Sequence, residues 1–150
     1  MSLLDFSLFE RDGLLKTLGI EIREFTTERV TATMPVTPHH HQPFGYLHGG
    51  ASVALAETVA SVGSFLHCAP GHVALCVEIN ANHLRPKRSG TLTAVGAALY
   101  VGQTTQVWEV KIYDEAEKLI CVSRCTMTTV ARGKQPSPAP EQSPPSGEAA

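Results

Sequence analysis

The chain has 150 residues, a formal net charge of -2 and 17% charged residues, against about 25% in an average globular protein. That length predicts one domain, with a core large enough to stand without disulfide or metal staples. Near-neutral charge without a basic stripe argues against a nucleic-acid binder; no unbroken apolar run approaches the ~18–20 residues of a membrane span, and MSLLDFSLFERDG lacks the basic start of a secretory signal.

Phe6, Phe9, Leu14, Leu15 and Leu18 recur at roughly helical spacing and Gly19 follows as a stop. The N-terminal segment 1–18 is therefore expected to hold an amphipathic helix, over about 5–18. Ile20 and Ile22 begin a strand, Thr26 to Arg29 form a turn, and Val30, Ala32, Met34 and Val36 alternate with polar residues or proline as a partner strand. A loop rich in His, Pro and Gly covers 37–49. Residues 50–67, GASVALAETVASVGSFLH, then read as a helix apolar on every face and hence buried. Four strands follow at Val73–Asn80, Thr91–Val101, Thr105–Tyr113 and Leu119–Val130, with breaks at Pro86 to Gly90, Gly102 and Asp114 to Lys118. Most of these connections are too short for crossover helices, so the sheet should be mostly antiparallel: an α+β layout with one helix under a curled sheet. Edge strands without Lys or Pro often continue into a partner subunit. From Gly133 onward, 5 of the 10 prolines and no large apolar residue are found, which predicts a disordered Pro-rich tail over 133–150 behind a folded domain at 1–132.

The shortage of charge is local. Between Arg29 and Glu78, Glu57 is the one Asp, Glu, Lys or Arg in 48 residues, where average usage would place about 12. An unpaired carboxylate in so neutral a setting costs several kcal/mol, so it must be paired, protonated or facing a cavity. A carboxylate tuned by desolvation is an acid, a base or a nucleophile; the plainer reading is a satisfied structural Glu. His48-Gly49-Gly50 opens the same helix. Helix N-termini present free N–H groups and partial positive charge, and two glycines let a ligand oxygen approach. With Glu57 two turns on, the pattern reads as carbonyl polarisation beside a carboxylate.

Other groups point less far. Gly50-Ala51-Ser52-Val53-Ala54 is one residue short of a nucleophile elbow and follows a loop where that motif needs a strand, which excludes a serine hydrolase. His39, His40 and His41 cannot all point at one ion, and no C-x-x-C is present, so no metal site is expected. Cys121 and Cys125 are expected to pack as small apolar groups, and all four cysteines as reduced thiols of a cytoplasmic protein. Arg85-Pro86-Lys87-Arg88 is the basic cluster, either a solvated turn or a contact for a nucleotide phosphate.

HQPFGYLHGGASVALAETVAS (41–61) together with VEINANHLRP (77–86) resembles the hotdog-fold acyl-CoA thioesterases. The resemblance runs from about Gly19 to Val130. It is strongest to the bacterial branch acting on 1,4-dihydroxy-2-naphthoyl-CoA, on aryl thioesters in enterobactin proofreading, and on 4-hydroxybenzoyl-CoA in the Arthrobacter type. It implies the hotdog fold and hydrolysis of an aryl- or medium-chain acyl-CoA. Glu57 is then nucleophile or general base, the Gly49 N–H the oxyanion donor, Gln42 and His48 the polar pair at the carbonyl and water, and Ser61 a contact to the water or acyl group. His83 is implied at the pocket side, and Arg85, Thr104 and Gln103 where CoA binds; CoA belongs to the substrate, and no separate cofactor is expected. The resemblance also implies a homodimer whose subunits share each site, commonly paired into a homotetramer. Two alternatives remain open at this stage: an acyl-thioester hydratase or dehydratase on the same fold, and a non-catalytic acyl-CoA-binding module.

Overall fold

The structure, a computed structural model, describes residues 11–133. The expected start of the first helix and nearly all of the Pro-rich tail lie outside the described residues. Of the helix expected over 5–18, residues 11–13 are corrected to non-helical, with Gly13 extended ahead of helix α1 (Leu14–Leu18), which ends at Gly19, whose φ of 63° is the left-handed conformation of a C-cap. Strands β1 (Glu21–Phe25) and β2 (Arg29–Val36) form a hairpin. At its turn, the Thr26 hydroxyl accepts from the Arg29 N–H at 3.0 Å. A short 3-10 turn at Pro38–His40 was not foreseen within the following loop. Helix α2 (Gly49–Leu66) then leads to β3 (His72–His83), β4 (Gly90–Val101), β5 (Thr105–Tyr113) and β6 (Leu119–Ala131).

The strands form one six-stranded sheet in the order β1-β2-β4-β5-β6-β3, antiparallel at every pairing. The expected α+β hotdog layout is present: α2 lies along the inner face of the curled sheet. Alternation explains why. Val30, Ala32 and Met34 on β2, Leu92 and Ala94 on β4, and Trp108, Val110 and Ile112 on β5 are all fully buried against α2. The approach is close. A Cβ on Gly63 would stand 2.3 Å from Cη2 of Trp108, so only glycine fits there. Gln106 bridges the layers, its Nε2 donating to Ser64 O at 3.2 Å and its Oε1 accepting from Trp108 Nε1 at 3.3 Å. Cys121 and Cys125 are fully buried free thiols, as expected, and burial chiefly pushes Cys125 up to about 12.

One expectation is corrected. Helix α2 is not buried on all sides: Leu55, Ala56, Val59 and Ala60 face the sheet, whereas Val53, Ala54, Glu57 and Ser61 are only half-buried. A single sheet covers one side of a helix and leaves the other open. Although α2 is long and apolar enough to cross a membrane, half of it is buried as the core helix of this sheet.

Candidate active site

Two cavities flank α2. The larger, about 870 Å³, runs along its open side and holds Glu57, Ser61 and Gly50, walled by Phe65, by Leu14 and Leu15 of α1, and by the start of β3. Glu57 has no hydrogen bond or ion pair to protein among the described residues. Its negative charge adds to the burial that raises the Cys76 thiol. The carboxylate therefore faces an open, mostly apolar cleft, which is one of the three outcomes its neutral sequence setting permits. Arg132 supplies the cleft's one cation among the described residues.

The smaller cavity, about 420 Å³, holds Gln42, Gly49, His83 and Arg85. Here the helix N-terminus is more selective than its two glycines suggest. Nδ1 of His48 accepts from the Gly50 N–H at 2.8 Å, so that donor is taken. The accepting Nδ1 leaves the proton of the neutral ring on Nε2, free to donate outward. The Gly49 N–H has no acceptor among the described residues, and Gly49, at the positive end of α2, lines the cavity. The Gln42 side-chain oxygen accepts from the Phe44 N–H, which turns the amide so that its NH2 remains the free donor.

Glu57 and Gly49 do not converge within one chain. Eight residues along a helix are about 12 Å of rise, and the two line different cavities. A reacting carbonyl would have to touch both at about 3 Å. On one helix the two are too far apart to grip the same carbonyl.

Thr104 and Gln103 are likewise distant from Arg85. They sit in the β4–β5 turn, with their carbonyls accepting from the Thr128 and Thr129 hydroxyls at 3.1 Å. Arg85 lies just before the other end of β4, whose 12 residues span on the order of 35 Å. The basic cluster also divides. Lys87 is paired with Glu115 at 2.6 Å, Arg88 lies 4.0 Å over the Tyr46 ring, and Arg85 has neither an ion pair nor a ring contact among the described residues. Two histidines of the run hold the loop. His40 is buried, its Nε2 donating to Leu18 O at 2.9 Å, and Nε2 of His41 donates to Arg88 O at 2.7 Å. No metal-ligating cluster is found among the described residues. Leu14, Leu15, Phe65 and Arg132 were missed as cavity residues; Phe65, one turn beyond Ser61, was the one with a periodic signal.

Comparison with known proteins decides the family. Residues 44–121 match the model of the thioesterase superfamily. The chain belongs to that superfamily. A 1,4-dihydroxy-2-naphthoyl-CoA hydrolase of Listeria monocytogenes is 48% identical over 122 residues, covering 81% of this chain and 99% of that protein. A mutant thioesterase of Pseudomonas aeruginosa has a crystal structure with a TM-score of 0.81 and 40% identity, covering 87% of this chain and 95% of that one. A Staphylococcus aureus thioesterase, solved with a glutamate changed to alanine, gives a TM-score of 0.77 at 40% identity over 79% of this chain and 99% of that one. The same protein was solved with a glutamine fifteen positions earlier changed to alanine. Thioester hydrolysis is thus the enzyme's reaction class.

Proposed function

We propose that this thioesterase hydrolyses the CoA thioester of an aryl or medium-chain acid, in a homodimer that assembles each site from two subunits. The observation that carries the reading is the separation of the carboxylate from the donors into two cavities. Glu57 and Ser61 from one subunit face Gln42, His48 and Gly49 of the partner. Fifteen positions separate Gln42 from Glu57, as they separate the glutamine and glutamate altered in the Staphylococcus aureus structures.

The sheet edges support the pairing. Edge strand β1 carries Glu21, Arg23 and Glu24, which discourage a second strand. Edge strand β3 is 12 residues long without Lys or Pro, and exposes Leu75 at 51% and Val77 at 63%. Two copies joined along β3 would continue the sheet and set their α2 helices side by side.

In the reaction, the thioester carbonyl oxygen accepts from the partner subunit's Gly49 N–H, with Gln42 Nε2 beside it. The Glu57 carboxylate attacks the carbonyl carbon, or removes a proton from the water that does. The tetrahedral oxyanion forms against those donors and its collapse expels the CoA thiolate; where Glu57 itself attacked, a water then opens the Glu57–acyl anhydride, releasing the acid and restoring the carboxylate. The acyl group lies in the larger cleft, against Leu14, Leu15 and Phe65, where an aryl ring or a medium chain is solvated by apolar side chains. Arg85 stands at the mouth of the donor cavity for the CoA phosphates, and Thr104 and Gln103 reach a CoA only from another subunit.

Thiol release from a panel of CoA thioesters tests this, comparing the native chain with Glu57→Gln. Turnover should fall by about 10³-fold or more in the variant while the fold is retained. Equal turnover in the two proteins overturns the assignment. Oxygen-18 incorporation into the Glu57 carboxylate during one turnover marks an anhydride that water opens at the Glu57 carbon.

A further inference from the structure

Three of the groups assigned above, Gln42, His48 and Gly49, lie on the stretch 42–49. A donor displaced by about 1 Å costs about 10²-fold in rate, so what holds this loop matters to the chemistry. Its root is tied by His40 to Leu18 O, and by the His48 N–H to His40 O at 2.8 Å. Its tip is a turn in which the Gln42 N–H donates to Tyr46 O at 2.8 Å. Three further ties go to the basic turn after β3. The Leu47 N–H donates to Lys87 O at 2.7 Å, His41 Nε2 to Arg88 O at 2.7 Å, and the Arg88 guanidinium covers Tyr46.

The basic turn is in turn anchored at its start by the Leu84 N–H, which donates to Ile120 O at 2.8 Å, and at its middle by the side chain of Lys87. Residues 84–89 lie outside the strands, between the end of β3 and the start of β4. Nζ of Lys87, on a side chain only 17% exposed, reaches Glu115 Oε2 at 2.6 Å and Asp114 Oδ2 at 3.9 Å in the β5–β6 turn. Those carboxylates are fixed from behind. Asp114 Oδ1 accepts from the Ala116 and Lys118 N–H groups, both at 2.9 Å, and Glu115 Oε1 accepts from the Thr91 N–H. Two carboxylates balance the ammonium, which leaves little of its charge for a phosphate outside.

We propose that Lys87, clamped by Glu115 and Asp114, is a positioning residue of the hydrolysis: it places the carbonyls of residues 87 and 88, which hold the loop bearing Gln42, His48 and Gly49. The inference rests on the proposed function for its catalytic consequence, and on the hydrogen bonds alone for the loop. It removes Lys87 from the candidates for CoA phosphate binding and leaves that part to Arg85.

The test uses the full chain with Lys87→Met, Lys87→Arg and Glu115→Gln. Three quantities are read: kcat and KM for benzoyl-CoA, inhibition by CoA and by 3′-dephospho-CoA, and amide hydrogen exchange over residues 41–49. The expected result for Lys87→Met is a fall in kcat of about tenfold with inhibition by CoA unchanged within about twofold, and faster exchange over 41–49. Glu115→Gln should move the same quantities the same way, and Lys87→Arg should recover most of the kcat. Weaker inhibition by CoA, with its advantage over 3′-dephospho-CoA lost and kcat intact, makes Lys87 a phosphate ligand and overturns the proposal. Unchanged kcat and exchange overturn it as well. If the native chain releases no thiol from any thioester while Lys87→Met still loosens 41–49, the clamp stands and the assigned reaction falls.

Discussion

Nε2 of His83 stands 2.7 Å from the place a Cβ on residue 49 would occupy, so the end of β3 closes over the first residue of α2. The glycine there is a matter of space, because the imidazole and the open N–H share one small cavity. Gly49→Ala should leave stability within about 1 kcal/mol of native, since alanine suits a helix and a ring at a strand end can swing aside. Turnover should fall by at least about tenfold, because the ring and the new methyl both crowd the carbonyl position. Steady-state kinetics and thermal unfolding on the same protein check both halves. Adding His83→Ala should return part of the lost rate; no recovery would show that the methyl alone does the damage.

Edge strand β3 offers a second prediction. Val77→Lys places a charge on the strand through which the subunits are proposed to join. Sedimentation should show a monomer at micromolar concentration, with turnover lost in proportion, because a single chain cannot bring Glu57 to Gly49. A monomer with native turnover would overturn the shared site.

The Lys87 clamp has a pH signature. Hydrogen bonding to Lys87, aided by backbone N–H groups, holds Glu115 down to about 2 from an ordinary value of 4.5. A depressed carboxyl stabilises the fold above its unfolded value and loses that contribution as pH falls from about 4.5 towards 2. Glu115→Gln should therefore unfold at lower urea than the native chain at neutral pH, and the gap should close through that acid window. Because Glu115 is largely exposed, the gap should be small. A gap that stays constant with pH would show that the carboxylate's charge is not what holds the turn.

Neighbouring residues of α2 should respond with opposite signs. Ser64 Oγ is buried without a partner among the described residues, so Ser64→Ala should leave stability unchanged or raise it by up to about 1 kcal/mol. Gly63→Ala presses a methyl into the fully buried Trp108 and should cost about 1–3 kcal/mol. Urea denaturation midpoints of the two variants give the comparison directly.

Most of the elements were legible in the chain because their signals are local. Alternation over Val30–Val36 marked β2, the Asp114–Lys118 break marked the β5–β6 turn, and Gly19 marked the end of α1. Glu57 stood out by composition, as the one charge in a neutral stretch, and the motif around it carried the family. The 3-10 turn at Pro38–His40 was not foreseen although its determinants are local, Pro38 at its start and the reciprocal bonds between Thr37 and His40; its contact with Leu18, 22 positions away, was beyond any local pattern.

What the sequence by itself determined is where the chain bends, which face of each strand turns inward, and which carboxylate stands alone: each depends on residues close in sequence. Tertiary structure decided that β3 is an edge, that Glu57 and Gly49 face different cavities, and that Lys87 turns inward to Glu115. Those outcomes depend on strand order and helix rotation, which bring together side chains with no shared local pattern.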